Sequence, residues 1–151
     1  MRHTKRWAWA GVTLLFACLL LTACAQPTSS AEGDTKPATV EPIPGTDLSK
    51  VILTVDAAKR IGIQTIQMKG QAVNGATRTV IPYSALLYDV TGLAWVYTNP
   101  ATLTYVRAQV VVENITGDQV VLKNGPPSGT TIVTVGAPEL YGTEIGVGDE
   151  A

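Results

Sequence analysis

From Lys50 onward the chain is a succession of short β-branched runs broken every few residues by Gly, Pro, Asn or Asp. That texture is the signature of a small, mostly-β domain, and no stretch carries the heptad pattern of a long helical pair. The runs Val51–Val55, Ile63–Met68, Arg78–Ile81, Gln119–Leu122 and Thr131–Val135 read as strands. Asp56 is placed to cap a single helical turn, Ala57–Arg60, ended by Gly62. Gly70–Thr77 reads as a loop, and Pro82, which has no amide hydrogen, ends the strand before it. The clearest unit is a β-hairpin, in which Leu86–Tyr88 and Leu93–Tyr97 flank Asp89-Val-Thr-Gly92. Asn99-Pro100 should turn the chain. Leu103–Val112 alternates as one long strand, with Thr104, Val106, Ala108, Val110 and Val112 toward the core. Ala137–Tyr141 can form a last helical turn. The expected fold is therefore mostly β, a small antiparallel β-sheet or barrel-like domain with one or two short helical turns.

The N-terminus has a different character. Arg2, His3, Lys5 and Arg6 precede an apolar run of about 15 residues, Trp7–Leu21, which is a signal-peptide layout. It falls short of the roughly 20 residues needed to span a bilayer as a helix. Leu21-Thr22-Ala23-Cys24 resembles the bacterial lipobox, which implies cleavage after residue 23 and lipidation of Cys24. Cys24 would then carry a covalent diacylglycerol and an N-acyl chain such as palmitate, and no other cofactor is expected. Cys18 lies inside the apolar run and reads as a passive residue. Residues 24–48 hold scarcely any large apolar side chain and read as a disordered tether, its ends about 25 Å apart. The expected organisation is signal 1–23, tether 24–48, β-domain 49–142 and flexible tail 143–151. The protein should thus sit in the cell envelope, lipid-anchored on the extracytoplasmic side of a bacterial membrane.

Removal of the leader would leave 128 of the 151 residues (151 − 23), with 8 basic against 12 acidic side chains and a net charge of about −4. Such a surface does not attract phosphate backbones, so nucleic acid is not an expected partner. No histidine would remain, and Cys24 would be the only cysteine. That excludes Cys/His zinc sites, Ser-His-Asp triads and Cys-His dyads, and with Met68 the single methionine it excludes a thioether-rich copper or silver site. No metal site is expected.

The segment Ile81-Pro-Tyr-Ser-Ala-Leu-Leu-Tyr-Asp89 followed by Gly92-Leu-Ala-Trp-Val-Tyr97 resembles the "V-P-x-S-A-[LV]-[LV]-x-D" and "G-x-x-W-V-Y" strands of the membrane-proximal domain of periplasmic adaptor proteins. These are the HlyD-like membrane fusion proteins of efflux pumps. Val110–Val112, Gly117–Leu122, Gly125–Gly129 and Ile132–Leu140 are similar to the motifs that follow in that family, in the same order over about 65 residues. Val51–Ile63 resembles the opening of adaptors related to metal efflux. The family's lipoyl, helical-hairpin and barrel domains have no counterpart between the two parts, which about 14 residues join. The resemblance implies a non-enzymatic accessory or docking subunit of an export transporter, with an inner-membrane transporter of the RND or ABC type, or its adaptor, as partner. The alternative is a small-ligand- or peptide-binding lipoprotein of the cell envelope, which would require a sizeable cavity that a core of this size can hardly spare.

Tyr83, Tyr88, Trp95 and Tyr97 on and beside the hairpin either pack the core or form a partner contact. No catalytic residue is expected. The carboxylates Asp89, Glu113, Asp118, Glu139 and Glu144 each adjoin a turn signal and read as solvated turn residues. Ser84 has no histidine to activate it. Asn114-Ile-Thr116 matches a glycosylation acceptor only by chance in a bacterial chain.

Overall fold

A computed structural model describes residues 36–73 and 75–147. The expected signal, its expected cleavage site and Cys24 lie outside the described residues. Among the described residues eleven strands and two helices follow one another: β1 Ala38–Pro42, β2 Ser49–Leu53, α1 Val55–Ile61, β3 Gln64–Gln67, β4 Lys69–Val73, β5 Ala76–Pro82, β6 Leu87–Tyr88, β7 Ala94–Ala101, β8 Thr104–Gln109, β9 Val111–Thr116, β10 Gln119–Asn124, β11 Thr131–Val135 and α2 Ala137–Glu144. A 3-10 turn, Tyr83–Ala85, links β5 to β6. Every strand pairing is antiparallel. The mostly-β expectation holds, but the strands form two open sheets and no closed barrel.

The larger sheet runs β1-β2-β8-β7-β11-β3, with β6 also on β7, and the smaller runs β4-β5-β10-β9. The larger sheet is covered on both faces. On one, Val51, Leu53, Tyr97, Tyr105 and Val133 pack beneath Ala57 and Ala58 of α1 and Ala137 and Leu140 of α2. On the other, Val96 and Ile132 meet Ile81, Val120 and Leu122 of the smaller sheet, with Met68 and Val110 at the two crossings. Each fully buried aliphatic side chain stabilises the fold by about 1.5–3 kcal/mol, so the two cores together hold three layers.

Several expectations are corrected here. Residues 38–42 are not tether. Pairing from Ala38↔Leu53 to Pro42↔Ser49 along all of β2 makes the segment a strand, and Lys50 Nζ meets Glu41 Oε2 at 2.8 Å. Thr54 rather than Asp56 caps α1, its Oγ1 accepting from the Ala57 N–H at 3.2 Å, while Gly62 closes the helix in the left-handed region. Gly70–Thr77 is not a loop but the β4–β5 hairpin, in register from Lys69↔Val80 to Val73↔Ala76. Its signal is the Asn74-Gly75 dipeptide, a strong hairpin turn pair. Asn99-Pro100 stays within β7; the chain reverses after Ala101, where Leu103 adopts φ 57° and the Asn99 side-chain amide donates to the Ala101 and Thr104 carbonyls. Leu103–Val112 is not one strand, because the chain passes at buried Val110 from β8 in one sheet to β9 in the other. Tyr105 and Arg107, on the supposed solvent face, instead lie under α2. The tail expected from residue 143 begins later, since α2 continues through Glu144.

Gly136 sits at the start of α2 with φ 97°, and a Cβ there would collide with Ile63 Cδ1 and lie 2.8 Å from Ile61 Cγ2. Gly136→Ala should therefore cost about 1–2 kcal/mol in backbone strain and a similar amount in overpacking. Urea unfolding would show the loss as a lowered midpoint at unchanged slope.

Candidate functional site

Strand registers fix where the hairpin lies. Thr98, Val106, Lys50 and Glu41 form one rung across β7, β8, β2 and β1. Ala38 is three residues from that rung toward one end of the sheet, and Leu93 is five residues from it toward the other. At ~3.3 Å per residue they are roughly 25 Å apart along the strand direction. The β6–β7 hairpin and the first described residues are thus at opposite ends.

The hairpin turn is organised by Asp89. Its Oδ1 accepts from the Thr91 N–H at 2.8 Å, the Thr91 hydroxyl at 2.7 Å and the Leu93 N–H at 3.0 Å, and its Oδ2 accepts from the Trp95 indole at 2.9 Å. The Thr91 hydroxyl bond leads a set of donors that hold the carboxyl at about 2, below its ordinary value of 3.8. With its polar groups tied inward, the turn shows apolar surface outward: Val90 is 92 % exposed, and Leu93, Tyr88 and Tyr83 are about half exposed.

The four aromatic residues of the motif segment separate. Tyr83 and Tyr88 are exposed, and Trp95 is half-buried. Tyr97 is fully buried and is corrected from a partner contact to a core residue. Its hydroxyl donates to Glu144 Oε2, and burial, reinforced by that carboxylate, pushes its pKa up and keeps it neutral. Glu144 is likewise corrected. Far from a solvated turn residue, its side chain is 3 % exposed and takes a bidentate pair from Arg107, Nε to Oε2 at 2.9 Å and Nη2 to Oε1 at 3.1 Å. Its Oε1 also accepts from the Ser49 N–H at 3.3 Å. The Arg107 guanidinium lies 4.6 Å from the Trp95 ring centroid and 5.2 Å from that of Tyr141, within cation–π range of both. Asp89, Trp95, Arg107 and Glu144 therefore connect the hairpin to α2. The signal available in sequence was the pair Tyr105 and Arg107, two residues apart with large side chains on one strand face.

The remaining carboxylates lie apart. Glu113 on β9 pairs with Arg78 Nε at 2.8 Å on the surface, Asp118 is in the β9–β10 turn, and Glu139 is in the first turn of α2. Among the described residues no hydrogen bond joins any two of the five, and no group of three His, Cys, Asp or Glu could hold a metal ion. Ser84 lies in the 3-10 turn. No helix among the described residues is long and apolar enough to cross a membrane. The surface carries an open groove, which is not a cavity taken out of the core. About 710 Å³ in volume, it is lined by Ile66, Val80, Ile81 and Pro82 together with Gln67 and Gln119.

Two consequences can be measured. Glu144→Ala leaves Arg107 with a charge but no counter-ion, and should cost about 3 kcal/mol in chemical denaturation. Asp89 has a folded pKa below its unfolded one, so its contribution is complete above pH ~4 and is lost as pH falls through about 2. The Trp95 indole N–H resonance should report that acid transition in the native chain, and Asp89→Asn should remove it.

No protein-family model matches the chain, and no curated protein matches it. The chain is similar to an NMR structure spanning the N-terminal metal-binding site and the membrane proximal domain of SilB from Cupriavidus metallidurans CH34. The identity is 15% and the TM-score 0.42, with 63% of this chain and 59% of that one covered.

Proposed function

We propose that the protein is a non-enzymatic, membrane-anchored accessory of an export system that docks on a transporter component through its β6–β7 hairpin. The observation that carries this reading is the exposed apolar surface of the motif segment: Tyr83, Tyr88, Val90 and Leu93 project from the stretch that resembles adaptor membrane-proximal domains. Trp95 and Tyr97, the other aromatics of that stretch, hold the hairpin in place from within. In this reading Cys24 carries the lipid, and two or three acyl chains make attachment effectively permanent. The tether shortens to residues 25–37, about 20 Å between its ends on average. The domain then works close to the bilayer, with the hairpin at the end of the larger sheet away from the tether.

A photo-reactive amino acid at Tyr88 or Val90 in cells should capture a component of a transporter, whereas the same group at Val55, exposed near the opposite end of the sheet, should not. Capture should fall several-fold in Cys24→Ala, which removes the anchor. Failure to capture a transporter component from the hairpin, or equal capture from Val55, would overturn the reading.

A further inference from the structure

The hairpin turn and the end of α2 are remote in the chain, yet a continuous line of side-chain contacts joins them. Glu144, in the last turn of α2, holds Arg107 of β8 by two hydrogen bonds, and the two side chains are only 3 % and 11 % exposed. Arg107 pairs with Tyr97 across β8 and β7, and Trp95, two residues before Tyr97, stands on the same face as a diagonal neighbour of Arg107. The guanidinium therefore lies against the Trp95 ring. The indole of Trp95 in turn donates to Asp89 Oδ2, while Oδ1 holds the Thr91 and Leu93 amides.

Each link is placed by the one before it. Without the Glu144 carboxylate the guanidinium becomes a buried, unpaired charge, and its escape is toward water, away from the Trp95 ring. Trp95 then loses the cation beside it, and its indole N–H is no longer aimed at Asp89. The two ends of the line are also the segments most open to solvent, with Val90 exposed at one and Ile145 and Val147 at the other. Segments with little buried surface open locally while the rest of a fold stays closed. These are the openings that such a line can couple.

We infer that Arg107 and Glu144 are positioning residues for the hairpin: acting through Trp95, they make the turn from Asp89 to Leu93 and the last turn of α2 open and close as one unit. By linkage the effect runs in both directions. A partner seated on the hairpin also holds the end of α2, and whatever lifts the end of α2 loosens the hairpin. The bearing on docking rests on the function proposed above. The coupling belongs to the free protein and is measured there, so its failure would leave capture from the hairpin unaffected, and failure of capture would leave the coupling intact.

The experiment is amide hydrogen exchange, read by NMR on the full-length protein in detergent. Glu144→Gln, equal in shape but uncharged, should speed exchange of the Thr91 and Leu93 amides about tenfold. The Gly62 amide, which bonds to the Ala58 carbonyl where α1 ends over the same core, should keep its rate. In the reverse direction Asp89→Asn leaves an oxygen for the turn amides but sets an NH2 against the indole. It should speed exchange of the Ile145 and Val147 amides, which bond to the Tyr141 and Gly142 carbonyls, about threefold. In a Trp95→Phe background, which has no indole N–H, Glu144→Gln should no longer affect Thr91 and Leu93. Unchanged exchange at Thr91 and Leu93 in Glu144→Gln, equal acceleration at Gly62, unchanged exchange at Ile145 and Val147 in Asp89→Asn, or a full effect of Glu144→Gln without the indole would each overturn the proposal. Should Glu144→Gln fail to fold, Asp89→Asn, a change at the surface, decides by itself.

Discussion

Everything in this fold follows from the need to bury both faces of the larger sheet. A sheet of this width with one face in water would leave either Val96 and Ile132 or Val51, Tyr97 and Val133 uncovered. The chain meets the need by two devices. It leaves the sheet at Met68 and returns to it through Tyr83–Leu87, then leaves again at Val110, so that the excursions build the second sheet. The helices, too short to fold alone, cover the opposite face with alanine and leucine.

Helix α2 has a narrow apolar contact and needs more than hydrophobic burial to stay in place. Arg107 and Glu144 supply it. Neither charge is left alone, because the carboxylate has the guanidinium, the Tyr97 hydroxyl and the Ser49 amide, and the guanidinium has two rings around it. These contacts tie the last turn of α2 to Ser49 of β2, Tyr97 of β7 and Arg107 of β8.

The sequence announces elements whose signals are local. The β6–β7 hairpin, the Gly62 stop after α1 and the strand Thr131–Val135 all coincide with turn chemistry or β-branched runs next to them. What stays hidden depends on distant partners. Ala38–Pro42 is composed like a tether, and only β2 makes it a strand. Lys69–Val73 is the exception, since its poor β-propensity masks a hairpin whose Asn74-Gly75 turn signal is local. Alternation in Leu103–Val112 is regular because both sheets need it, so the crossing at Val110 leaves no mark. Glu144 reads as a surface acid because its counter-ion lies 37 residues earlier in the chain. The exposed positions of the motif segment could not be told from its buried ones, since Tyr88 and Tyr97 are the same residue type in opposite settings.

The Asp89 cluster has one further consequence. A loop that must order itself on contact loses part of its binding free energy to that ordering. The turn from Asp89 to Leu93 is already tied by four hydrogen bonds to one carboxylate, so Val90 meets any partner on a backbone whose shape is set beforehand. Any contact formed through Val90 would therefore surrender little conformational freedom of the turn.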